Sequence, residues 1–124
     1  MTVRRFEDLV AWQKARELTK EIYMLTSKGA ITRDYGLCDQ IRRASVSIMS
    51  NLAEGFDRGG RAEFHRFLVI AKGSCAELRS QLYVAVDADY LSPDLSTRLF
   101  TMIEELGRII GGLRQAVQRQ RDSK

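Results

Sequence analysis

The chain has 124 residues, of which 44% are hydrophobic and 29% charged, with one proline and a net charge of +4 at neutral pH. This is the composition of one globular domain large enough to bury a core, and it excludes a disordered or collagen-like chain. No stretch approaches the roughly 20 apolar residues needed to span a bilayer, and MTVRRFEDLV lacks the apolar run of a secretory leader, so the expected compartment is the cytoplasm.

Four helices are read in chain order, about 8–27, 33–57, 61–88 and 93–119, with a basic tail at about 119–124. In the first, Leu9, Trp12, Ala15, Leu18, Ile22 and Leu25 recur at three- and four-residue spacing and form a buried stripe. Gly29 closes it, and Thr32 is the expected N-cap of the second.

The second helix carries three bands. Leu37, Ile41, Ala44, Ile48 and Leu52 face a core. Arg43, Ser47, Asn51, Glu54 and Arg58 form a polar stripe, in which Glu54 and Arg58 stand at i, i+4 and can pair. Asn51 is a poor residue for a helix interior, so a hydrogen bond is expected to hold it there. Val46, Met49, Ala53 and Phe56 make a third, apolar band. A lone bundle needs only the first band, so the other two read as assembly surfaces.

Gly59-Gly60 breaks the chain before a third helix that ends near Asp89. Its core face is read as Phe64, Phe67, Leu68, Ala71, Cys75, Leu78, Leu82 and Val86. A second stripe of Val69, Gly73, Ala76, Ser80 and Tyr83 is small and apolar where a solvated face would carry Lys and Glu, and it is read as an oligomer contact. Its alternatives are an exposed face or one covered by a terminal segment. Ser92-Pro93 starts the fourth helix as N-cap and first helical residue. Leu95, Leu99, Met102, Ile103, Leu106, Ile109, Ile110, Leu113 and Val117 mark its core face.

Charge is uneven. Arg108, Arg114, Arg119, Arg121 and Lys124 face only Asp122 in the final segment, which carries the entire net charge of +4. Such an end attracts a polyanion; in a monomer it equally suits a helix C-terminus. Arg42 and Arg43 could bind phosphate or form ion pairs with Glu54, Glu63 or Glu77 of the same or a neighbouring chain.

Known chemistry is sparse. A di-iron bundle needs two Glu-x-x-His motifs, and the lone His65 has Ala62 three residues before it. His65 is read as a surface or interface residue. Phosphate-loop, dinucleotide and HExxH patterns are missing. Cys38 and Cys75 lie far apart within helical patterns and read as buried, reduced thiols. No enzyme, metal or cofactor is expected.

FEDLVAWQKA (Phe6–Ala15), YGLCDQIRRASVSIMSNLAEG (Tyr35–Gly55), EFHRFLVIAKGSCAELRSQL (Glu63–Leu82) and DYLS (Asp89–Ser92) resemble, as a set, the bacterial four-helix bundle proteins. That family includes proteins encoded in intervening sequences of large-subunit ribosomal RNA genes. It is related to the accessory variability determinant proteins of diversity-generating retroelements, whose basic last helix LGRIIGGLRQAVQRQ (Leu106–Gln120) resembles in character. The resemblance implies an antiparallel up-down-up-down four-helix bundle assembling as a ring-like homopentamer. For the retroelement relatives it implies binding to nucleic acid and to a protein partner such as a reverse transcriptase. It implies no catalytic activity. The chain departs from the pattern with Ile31-Thr32 where a loop proline is frequent, Gly60 where Ser usually caps, and Met49 where proline is common.

The expectation is an all-α, non-enzymatic oligomeric scaffold without membrane attachment that binds RNA or DNA. Arg108, Arg114, Arg119 and Arg121 come first as contacts, and Arg42 and Arg43 second. The interface is assigned to Val46, Met49, Ala53, Phe56, Val69, Gly73, Ala76 and Tyr83, with Arg43, Asn51, Glu54 and Arg58 as its polar or structural members. The alternative is a protein-interaction module that binds no nucleic acid.

Overall fold

A computed structural model describes residues 3–123. Four long helices, α1 (Val10–Leu25), α2 (Tyr35–Asp57), α3 (Arg61–Asp87) and α4 (Pro93–Asp122), share one hydrophobic core, and there is no strand among the described residues. Lys124 of the expected basic tail lies outside them.

Each end has a local cause. A 3-10 turn at Phe6–Asp8 precedes α1 and takes up the first residues expected to be helical. Asp8 Oδ2 accepts from the backbone N–H of Arg4 and Arg5, and the Phe6 ring meets Trp12 edge-on with centroids 5.2 Å apart. Gly29 turns the chain at φ 85°, and a second 3-10 turn occupies Ala30–Arg33. Thr32 is inside that turn and its hydroxyl donates back to the Gly29 carbonyl at 2.7 Å, so it is not the cap of α2. Asp34 is: its carboxylate accepts from the Leu37 N–H at 3.2 Å.

Gly59, at φ 82°, ends α2 in the left-handed conformation. Gly60 precedes α3 with no side-chain cap. At the other end of α3 the left-handed position falls to Asp89, at φ 63°, and Tyr90 N–H reaches back to the Ala85 carbonyl at 2.9 Å. This six-to-one bond ends the helix at Asp87, two residues before the expected stop. Ser92 caps α4 by accepting from Leu95 N–H at 3.2 Å, with Pro93 in the first turn. α4 stays helical to Asp122, past the expected end near 119.

The core is built from the expected stripes. Ile22, Ile41, Ile48, Leu52, Leu68, Leu78, Leu82, Leu99 and Ile110 are wholly buried. One position is corrected. Val86 is 37% exposed, and Ala85 is buried in its place. The core follows Leu82 at three residues rather than four, and a methyl fits where α3 runs close to its neighbours.

Named contacts set the neighbours. Lys14 pairs with Glu105 and Glu21 with Arg98, each at 3.2 Å, tying α1 to α4. Arg79 pairs with Glu104 at 3.3 Å between α3 and α4. Ser47 and Ser74 share a hydroxyl hydrogen bond of 2.9 Å between α2 and α3. Thr19 donates to the Ser45 carbonyl at 3.3 Å between α1 and α2.

α2 and α3 also approach closely at one glycine. A Cβ placed on Gly55 would stand 2.5 Å from Phe67 Cβ. Real carbons do not sit at that distance, so α2 and α3 can meet here only because residue 55 has no side chain. Phe56 then lies edge-on to Phe64, with centroids 5.9 Å apart.

Candidate nucleic-acid interface

The extended α4 divides the four candidate arginines between two lines of the helix. Arg108 and Arg119 fall roughly three turns apart on one line, and both are exposed. Arg114 and Arg121 fall roughly two turns apart on a second line, beside the core face. Arg121 reaches the α2–α3 turn, where it borders a shallow hollow with Arg61 and Gly59–Ala62. Among the described residues none of the four pairs with a carboxylate, whereas Lys14, Arg79 and Arg98 do. Ion pairing thus gathers in the first half of α4 and stops before its basic half.

Arg108 meets two cations that sequence reading missed. With Lys72 and Arg79 of α3 it lines a cleft of about 480 Å³ between α3 and α4. Cys75, Ala76, Ile103 and Gly107 complete the lining, and Glu104 is its carboxylate. The available signal was spacing: Lys72 and Arg79 stand two turns apart on one line of α3, next to Ala76. Lys72 stretches over α4, its Nζ 3.1 Å from where a Cβ of Gly111 would stand.

Within the chain, Arg42 and Arg43 meet other partners than Glu54, Glu63 or Glu77. Arg42 Nε donates to the Thr26 hydroxyl at 2.7 Å, and its guanidinium lies over the Tyr23 ring at 4.4 Å. Arg43 pairs with Asp39, one turn earlier in α2, at 2.9 Å. Neither pairs with Glu54, Glu63 or Glu77. Arg42 is therefore held as a strut between α1 and α2, while Arg43 keeps an exposed pair of the kind that exchanges readily with solvent.

The polar stripe of α2 finds hydrogen-bond and ion-pair partners within the chain, although Arg43, Glu54 and Arg58 stay exposed. Asn51 Nδ2 donates to the Ser47 carbonyl at 2.8 Å and to Ser47 Oγ at 3.0 Å, and Ser47 continues to the buried Ser74. Asn51 thus has the hydrogen-bonding reason its position asked for. Arg58 pairs with Glu54 at 2.7 Å, as the i, i+4 spacing implied, and covers the Phe67 ring.

The residues assigned to an interface split in two. Met49, Ala53 and Phe56 are half-buried within the chain, Met49 against the core and Phe56 against Phe64. Val46 remains exposed on α2, as do Val69, Gly73, Ala76 and Tyr83 on α3. Ile70 and Val84 extend the exposed apolar surface of α3. Tyr83 rests on Phe100 of α4 with ring centroids 4.7 Å apart.

The thiols differ. Cys75 is buried, and burial pushes its pKa up to about 12. Cys38 is half-buried rather than fully buried, donates to the Ile31 carbonyl at 3.1 Å, and is raised mainly by desolvation. The His65 ring is half-buried, and its buried Nε2 has no partner among the described residues. No described helix is long and apolar enough to cross a membrane.

The comparisons agree with this architecture. No curated protein matches the chain. Among solved structures, a protein with unknown function from the S23 ribosomal protein family of Bacteroides thetaiotaomicron superposes with a TM-score of 0.78 at 19% identity, over 86% of this chain and 96% of that one. At that identity the likeness speaks for the fold. The model of the 23S rRNA-intervening sequence protein family matches residues 7–112, from the turn before α1 into the basic half of α4. This chain belongs to the 23S rRNA-intervening sequence protein family.

Proposed function

We propose that the protein is a cytoplasmic, non-enzymatic scaffold that binds RNA or DNA through the basic half of α4 and assembles as a ring-like homo-oligomer. The observation that carries the nucleic-acid reading is the lack of carboxylate partners for Arg108, Arg114, Arg119 and Arg121 among the described residues. Four guanidinium groups without carboxylate partners among the described residues, on about four turns of helix, make a field that favours phosphates.

Two further features support the architecture. The cross-helix pairs Lys14–Glu105 and Glu21–Arg98 match rising numbers in α1 with falling numbers in α4. Ser47–Ser74 and Phe56–Phe64 do the same for α2 and α3, which favours an antiparallel up-down-up-down bundle. Exposed Val69, Ile70, Tyr83 and Val84 give α3 an apolar surface that favours self-association. The family resemblance favours five copies. The same surface suits a protein partner, the reading in which the basic residues only balance charge.

Binding to labelled RNA and DNA oligonucleotides across a salt series tests the function. Affinity should fall steeply as salt rises, with a slope near −0.9 for each phosphate engaged on a duplex. Replacing Arg114, Arg119 and Arg121 together by Gln should abolish it. Retained affinity in that variant would place the contact elsewhere, and no binding at low salt would leave the interaction-module reading. Mass measurement in solution tests assembly: a stable 14.1 kDa species at micromolar concentration would refute it.

A further inference from the structure

The cleft between α3 and α4 brings together features that the arginines of α4 alone do not explain. Three cations border it, Lys72, Arg79 and Arg108, against one carboxylate, Glu104. That carboxylate already holds Arg79 at 3.3 Å. Lys72 and Arg108 therefore face the opening with no acidic partner among the described residues.

The lining between the charges is low. Ala76 and Gly107 line it beside Cys75 and Ile103, and nothing stands within 4 Å of a Cβ built on Gly107. A group entering the cleft thus meets backbone and small side chains, with cations at its edges. At about 480 Å³ the space lies within the range of small-ligand sites. An amine and a guanidinium around a shallow apolar lining suit a phosphate that carries a sugar, since the charges hold the oxygens and the lining accepts the ring. Cys75 takes no part chemically, because burial keeps its thiol protonated.

We propose that this cleft is a phosphate subsite of the nucleic-acid interface, in which Lys72 and Arg108 hold one phosphodiester of the bound strand over Gly107 and Ala76. The proposal rests on the nucleic-acid reading above and adds α3 to it. It extends the interface from α4 alone to a seam between two helices. Gly111 gives Lys72 room beside α4, since a Cβ there would stand 3.1 Å from its Nζ and displace it slightly.

The test separates shape from charge. Gly107→Leu fills the cleft and leaves every charge in place; the space around residue 107 and the gain in helix propensity favour folding. The double variant Lys72→Gln/Arg108→Gln removes the charges and leaves the space. Lys28→Gln, at the α1–α2 turn, is the control for loss of one charge. Each full-length protein is titrated with a labelled single-stranded RNA oligonucleotide over a salt series, with circular dichroism and solution mass alongside.

Gly107→Leu and the double variant should each weaken binding about tenfold, and the double variant should flatten the salt slope by about 1. Lys28→Gln should change affinity by less than about twofold. If wild type binds RNA and both cleft variants bind equally well, the subsite is wrong while the nucleic-acid reading stands. If wild type binds no RNA at low salt, that reading fails and takes the subsite with it. If either cleft variant loses affinity only as it dissociates to the 14.1 kDa chain, the cleft seats another copy of the protein and the proposal is overturned.

Discussion

The Tyr90 hydroxyl donates to Asp34 Oδ2 at 3.1 Å, joining the α3–α4 connection to the start of α2. Oδ1 of the same carboxylate caps α2. One side chain thus holds a helix end and a loop 56 residues away. Asp34→Ala should cost about 1 kcal/mol from the lost cap alone. Tyr90→Phe should lower the melting temperature by less. In a double-mutant cycle the two changes should be less than additive, because the second removes a bond the first has already broken. Strict additivity in thermal melts would show that the bond contributes nothing.

The same pair gives a pH dependence. The Asp34 carboxylate beside it holds the Tyr90 hydroxyl above its ordinary pKa, and burial does the same for Cys75, to about 12. Both groups are therefore neutral in the folded chain at pH values where the unfolded chain has begun to ionise. Their stabilisation is complete below the unfolded values, near 8.5 for a thiol and near 10 for tyrosine, and is lost as pH rises through the folded values, about 12 for Cys75. Stability in urea should decline from about pH 9 upward, and Cys75→Ala with Tyr90→Phe should flatten the decline. An unchanged slope in the double variant would contradict the assignment.

Cysteine reactivity separates the two thiols. With iodoacetamide at pH 8, native protein should be alkylated at Cys38, slowly, because partial burial raises its pKa. Cys75 should react only after denaturation. Peptide mass mapping gives the sites directly, and equal labelling of both thiols in native protein would show that the core opens at Cys75.

Two glycines should respond to alanine with opposite signs. Gly55→Ala forces a Cβ to 2.5 Å from Phe67 Cβ, and overpacking of this kind costs about 1–3 kcal/mol. Gly73 has open space around it, so Gly73→Ala should gain about 0.5–1 kcal/mol of helix stability. If α3 joins a second copy at Gly73, the variant should also weaken assembly, which sedimentation at several concentrations would detect. Equal effects of the two substitutions on folding would refute the packing argument.

The helices and most of the core were legible because they rest on periodicity, which depends on sequence alone. Leu37, Ile41, Ala44, Ile48 and Leu52 line the core as spaced. Misses arose where two local solutions compete. Thr32 and Asp34 both suit an N-cap, and the 3-10 turn at Ala30–Arg33 decides for Asp34. Val86 is the more apolar choice, but its place on the helix turns it outward and Ala85 inward. The candidate site was half legible. The arginines of α4 stand out by composition, while Lys72 and Arg79 become their neighbours only when α3 lies against α4. The engagement of Arg42 could not be read from sequence, because its partners, Tyr23 of α1 and Thr26 at the end of α1, meet it only in the fold.

The contact at Gly55 bears on more than one position. Sliding α2 along α3 by one turn in the direction that brings Asn51 to this place would set a full side chain where Phe67 leaves room for hydrogen only. The contact forbids slippage of α2 in that direction, while the opposite slip would bring Gly59, beyond the end of α2, to the same place. Val46 on α2 and Val69 on α3 both lie exposed on this helix pair, so a mutation at its hidden seam would alter the spacing of its outer face without touching either.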